Sequence, residues 1–120
     1  RVEQLYPFPV ISLGAELARF PNAEVVWCQE EPANMGAWSF VMRRLEYVLE
    51  DLAKGNKAPR RPIYVGRAAS ASPATGSLKV HNAEQALLVD QALSHKAKDL
   101  LQPFKRILED VETAVRATDA

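Results

Sequence analysis

The chain has 120 residues, 48% of them hydrophobic and 25% charged, with fifteen acidic groups set against fifteen basic ones. A chain of this size buries roughly two thirds of the surface its unfolded form exposes, so one domain is expected to fold without disulfide or metal staples. The composition excludes disordered and fibrous classes, and the balanced charge gives no overall field to attract nucleic acid.

Cys28 is the single cysteine. It allows no internal disulfide and fits a reducing compartment. No apolar run reaches the ~18 residues that cross a bilayer, and the first residues lack the basic-then-apolar order of a secretion signal. The expectation is a soluble protein of a bacterial cytoplasm or a mitochondrial matrix, with neither membrane nor nucleic acid as partner.

In chain order, residues 2–5 predict the end of a strand, broken by Pro7-Phe8-Pro9. A strand that starts at the first residue implies that part of its sheet belongs to a longer protein. Ile11, Leu13, Leu17 and Phe20 then predict a short amphipathic helix, with Ser12 as N-cap and Pro21-Asn22 as its stop. Residues 24–29 form a continuous apolar run, which predicts a strand covered on both faces and makes Cys28 a small buried apolar group.

After a loop over 30–36, Trp38, Met42, Leu45, Leu49 and Leu52 recur at steps of three and four, the stripe of one helix. Residues 55–59 break it, and 62–66 predict another buried strand. A last helix is expected from about 80 to 93, with Ala86, Val89 and Leu93 on one side and Leu88 and Ala92 beside them. Strand and helix alternate three times, so the expected fold class is α/β: a mainly parallel sheet flanked by helices.

Ligands of such sheets gather at the carboxyl ends of the strands, where loops run into helix N-termini. Two loops hold that place, 29–36 and 66–81. The second reads GRAASASPATGSLKVH, and it lies in a window, 52–83, with no acid and six cations: Lys54, Lys57, Arg60, Arg61, Arg67 and Lys79. Such a block is either a solvated face or an anion seat.

Small residues let a backbone approach a ligand, and helix N-termini favour phosphate. Ser70, Ser72, Thr75 and Ser77 offer hydroxyls, Arg67 a bidentate fork, and Tyr64 a ring or hydroxyl. Lys79 and His81 fall where the next helix begins. The stretch matches neither the P-loop nor the dinucleotide glycine pattern. The competing reading is a tight loop at a subunit contact, with Arg67 paired to Glu30 or Glu31, and the two readings are compatible.

Other chemistry finds little support. Glu30 and Glu31 are adjacent, and on an extended segment they point to opposite sides, so they do not form an acid–base pair on one substrate. No nucleophile elbow surrounds a serine, and His81 and His95 have no evident acid partner. Trp27 and Trp38 lie on apolar patterns and read as core or interface anchors.

RVEQLYPFP (1–9), VVWCQEEPANMGAW (25–38), RPIYVGRAASASPATGSLKVH (61–81) and EQALLVDQAL (84–93) occur here in a fixed order. Together they closely resemble the C-terminal region of the 2-oxoglutarate dehydrogenase family, the thiamine-diphosphate-dependent decarboxylating component, over about three quarters of the chain. The resemblance implies a transketolase-type C-terminal domain over residues 1–93, in an enzyme that works as a homodimer. That enzyme decarboxylates 2-oxoglutarate on thiamine diphosphate with magnesium and passes succinyl to a lipoyl-bearing succinyltransferase of the tricarboxylic acid cycle. The cofactor belongs to preceding domains, so none is expected on this chain, which alone should be inactive.

The resemblance further implies dimer contacts and a seat for a nucleotide or acyl-coenzyme A effector. Tyr64 and Arg67 match the family's Y-x-G-R stretch and are its main candidates, with Ser70, Ser72 and His81 matching in type. Family chains end near Leu93, whereas residues 94–120 continue with Leu100, Leu101, Phe104, Ile107, Leu108, Val111 and Val115 at helical spacing. An appended amphipathic helical tail is therefore expected. Two alternatives stay open: a free-standing interaction module that docks through this tail, and a small phosphate-ligand-binding protein.

Overall fold

Pro9 has no N–H to leave unpaired, which suits it to the mouth of a helix. In the computed structural model, which describes residues 1–53, 55 and 58–94, Pro9 is the N-cap of the first helix, α1 (Val10–Ala18). Its carbonyl accepts the Leu13 N–H at 3.0 Å. Ser12, expected as the cap, lies inside the first turn instead, with its hydroxyl 3.4 Å from the Pro9 carbonyl.

The remaining elements are β1 (Val26–Pro32), α2 (Trp38–Leu52), β2 (Ile63–Arg67) and α3 (Leu78–Leu93). The order of described elements is therefore helix, strand, helix, strand, helix. Residues 2–5 are not a strand. Val2 and Leu5 instead line an apolar cleft against Val25, Val26 and Leu13, so they pack through side chains and join no ladder.

The strands pair parallel, with Val26 opposite Ile63, Trp27 opposite Tyr64 and Cys28 opposite Val65. A parallel pair requires a long crossover, and α2 supplies it. The fold class is borne out as a small α/β unit, with a two-stranded parallel sheet and three helices among the described residues.

Beyond Cys28 the register shifts, and the next pair is Pro32 with Arg67. This bulge carries β1 past Glu30 and Glu31, which were expected in a loop. Gln29 is buried there, and its amide nitrogen donates to the carbonyls of Glu31, Pro32 and Met35 at 3.2, 3.1 and 2.8 Å. One side chain thus satisfies carbonyls at a site of irregular pairing.

The core is built chiefly on α2, where Val41, Leu45, Val48 and Leu49 are buried. Met42, expected on the buried stripe, is partly exposed, so the stripe is turned about one residue from the prediction. Where α3 meets the sheet, Val65 and Leu88 are buried together, with Val26, Ile63 and Ala92 against them. Each full burial of a Leu or Val side chain contributes roughly 1.5–3 kcal/mol.

Two expectations fail on exposure. Cys28 is exposed, because the described sheet does not cover both faces of β1. In α3 only Leu88 is buried, while Val89, Ala86 and Leu93 face outward. The inward face comprises His81, Glu84, Gln85, Leu88 and Ala92, a spacing of three and four that carries mostly polar groups. The expected tail over 94–120 lies almost wholly outside the described residues. Among those residues no helix is long and apolar enough to cross a membrane.

Candidate functional site

The loop of residues 68–77 leaves the end of β2 and enters α3, as the sequence implied. Ser77 caps the helix, accepting from the Val80 N–H at 3.5 Å. Gly76 sits just before it at φ 68°, a left-handed conformation that glycine adopts without steric cost. Between loop, strand ends and helix lies a cleft of about 250 Å³, lined among others by Pro32, Arg67, Ser70, Ser72, Thr75 and Glu84.

Arg67 stands at the end of β2, and its side chain is only 11% exposed. One guanidinium nitrogen, Nη2, is 2.9 Å from His81 Nδ1 and 3.3 Å from Gln85 Oε1. Since arginine only donates, the imidazole accepts at Nδ1. Nε is 3.2 Å from Glu84 Oε2, yet neither atom makes a hydrogen bond. The pair is electrostatic without an aimed N–H. The carboxylate that meets Arg67 is therefore Glu84, and neither of the two expected from sequence, Glu30 and Glu31.

Glu30 serves elsewhere, accepting from Gln85 Nε2 at 3.0 Å. Gln85 thus bridges the guanidinium to β1. Glu84 and Gln85 escaped notice in the sequence, although they lie three and four residues beyond His81 and so share its helical face.

Tyr64 does not line the cleft. Its hydroxyl donates toward the Arg67 carbonyl at 2.7 Å and the Glu31 carbonyl at 3.1 Å, tying the ends of both strands. Burial pushes its phenol up to about 12. Its ring lies 5.4 Å from that of Trp38. His81 also stays outside the cleft wall and reaches it only through Arg67.

Ser70 and Ser72 do line the cleft. The Ser70 N–H donates to Asn34 Oδ1 at 3.0 Å, and Asn34 Nδ2 donates to the Ser70 carbonyl at 2.9 Å. These two hydrogen bonds between one amide side chain and one residue's backbone join the loop after β1 to the loop after β2. Ser72 donates from its hydroxyl to the Ala74 carbonyl at 2.8 Å, and its N–H donates to Ser70 Oγ at 3.1 Å. Nothing in the spacing of Asn34 singled it out, since its partner lies 36 residues away.

Residues 1–93 match the family described as 2-oxoglutarate dehydrogenase C-terminal. The chain belongs to that family. It is 53% identical over 95 residues to the 2-oxoglutarate dehydrogenase E1 component of Brucella anthropi, an alignment covering 79% of this chain and 9% of that protein. With the proteins of the same name from Brucella ovis and Brucella canis it shares 54% over 93 residues, 78% of this chain and 9% of each of theirs.

The resemblance read from the sequence is thus borne out, and the chain spans about a tenth of the length of the relatives it matches. Among the described residues no group of three or more His, Cys, Asp or Glu side chains could hold a metal ion.

Proposed function

We propose that this chain is the C-terminal portion of an E1-type 2-oxoglutarate dehydrogenase and that its cleft receives a phosphorylated effector. In the full enzyme, other parts hold thiamine diphosphate and magnesium, decarboxylate 2-oxoglutarate and deliver succinyl to a lipoyl-bearing succinyltransferase. The assembly is a homodimer of the cytoplasm or mitochondrial matrix. The division at Leu93, with an added helical tail over 94–120, belongs to the same proposal.

The observation that carries the reading is the identity of more than half over most of the chain to proteins named as E1 components. Two physical features support its finer parts. A parallel sheet of two strands is smaller than such sheets usually are, which accords with a larger sheet of the transketolase C-terminal type. Ile11 is 90% exposed, and Tyr6, Leu78 and Leu93 are also outward apolar groups, which accords with contacts to a partner subunit or to neighbouring parts of the enzyme.

The effector seat draws on the position of the cleft beyond both strand ends, on Arg67 and on the hydroxyls of Ser70 and Ser72. Isothermal titration of the chain with AMP and with acetyl coenzyme A, repeated on Arg67→Ala, tests it. Binding that is lost in the variant is the expected result. Absence of binding by a folded chain favours an interaction module instead.

A further inference from the structure

We propose that Glu84 is a resident counter-anion of Arg67, which an incoming phosphate must displace, so that Glu84 sets how strongly an anion has to compete for the cleft. This inference rests on reading the cleft as an anion seat and concerns the regulation of that same seat.

The two partners of the ion pair are unequally placed. The Arg67 side chain is 11% exposed, whereas that of Glu84 is 41% exposed. The guanidinium is held in place by His81 and Gln85, both of which meet Nη2. Those two acceptors carry no compensating negative charge, and among the described residues Glu84 supplies the ion pair. Glu84 is open to water along much of its side chain, although its Oε2, like Arg67 Nε, is buried at the contact.

The contact is also loosely made. Nε and Oε2 are both buried and approach to 3.2 Å without forming a hydrogen bond, so the two charged groups are desolvated without the aimed bond that would offset that cost. Both side chains line the cleft with Ser70, Ser72 and Thr75. A carboxylate and a phosphoryl group satisfy arginine by the same fork-and-oxygen chemistry. Binding is then an exchange: one anion arrives at Arg67 and Glu84 turns outward. A phosphate monoester, with close to two charges near pH 7, competes better than a carboxylate ligand bearing one.

The test is isothermal titration of AMP into the full 120-residue chain, its Glu84→Gln and Glu84→Asp variants, and Asp90→Asn, which removes one charge from an exposed position of the same helix. Glu84→Gln is expected to lower Kd about tenfold, with the gain shrinking as salt rises from about 0.05 to about 0.5 M. Glu84→Asp, which keeps the charge and withdraws it by one methylene, gains less. Asp90→Asn stays within about twofold of the parent.

Binding detectable only in Glu84→Gln also supports the exchange. If the parent chain binds and Glu84→Gln binds equally or more weakly, displacement is overturned while the anion seat stands. An equal gain from Asp90→Asn overturns it too, because net charge then explains the effect. If no form binds, although circular dichroism shows each one folded, both the exchange and the seat fall.

Discussion

Gly66 stands where β1, β2 and Tyr64 meet, and replacing it with alanine probes that junction. An added Cβ would collide with the Tyr64 hydroxyl, lie 2.7 Å from Tyr64 Cζ and 2.8 Å from the Gln29 carbonyl oxygen. The ring can swing away only by giving up its hydroxyl bonds to the Arg67 and Glu31 carbonyls. The Gln29 carbonyl belongs to the bulged strand and has less freedom to move. Overpacking of this kind costs about 1–3 kcal/mol. The bond to Arg67 is part-buried and adds about 0.5–1.5 kcal/mol, while the exposed one to Glu31 adds less.

Gly66→Ala is therefore expected to lose about 2–4 kcal/mol, a large share of a total that is usually about 5–15 kcal/mol. Urea unfolding followed by tryptophan emission reads this directly, since Trp38 packs on Tyr64, and the slope with denaturant should not change. Tyr64→Phe removes the hydroxyl bonds alone and should cost about 1 kcal/mol. Tyr64→Ala combined with Gly66→Ala should fall short of additivity, because the ring clash is gone while the Gln29 contact remains. A loss below about 0.5 kcal/mol in Gly66→Ala would refute the reasoning.

Further expectations concern the clamps and the titrating groups. Asn34→Ala breaks both bonds between the two loops and should speed hydrogen exchange at the Ser70 amide, with no change at Val65 in the core; equal effects at both would argue against a local clamp. Arg60 donates to the carbonyls of Leu17, Phe20 and Ala23 behind α1, so Arg60→Ala should destabilise by about 1–2 kcal/mol in thermal unfolding, discounted for exposure. Tyr64 is held up to about 12, above its unfolded value of about 10. Its stabilising share is therefore full below pH ~10 and lost as pH rises toward ~12, which phenolate absorbance and parallel unfolding curves would record. Burial first and Glu30 second push the Cys28 thiol up, so alkylation should be slower than for a free thiol at pH ~8 and accelerate above pH ~9.

Periodicity made α2 legible, because its apolar residues repeat over fifteen positions, and the alternation of elements gave the parallel pair. It failed where the decisive interactions are long-range or polar. The end of β1 depends on Gln29 feeding three carbonyls, which no apolar run announces. The inward face of α3 is mostly polar, so the exposed Ala86, Val89 and Leu93 misdirected the reading of which side is buried. Pro9 displaced Ser12 as the cap because the helix starts three residues early.

In the cleft, the loop, Arg67, Ser70 and Ser72 were all visible from charge and small-residue content. Tyr64 and His81 are close by but act on Arg67 and the strand ends. Glu84 and Asn34 complete the site through contacts that only folding creates.

The most direct measurement is an amide nitrogen–proton correlation spectrum of the full chain during titration with AMP. The account predicts concentration-dependent shifts centred on residues 67–75 and 84, saturating together with one affinity. Shifts centred elsewhere, for example on the apolar cleft beside Val2 and Leu13, or no shifts at millimolar nucleotide with a dispersed spectrum, would contradict it.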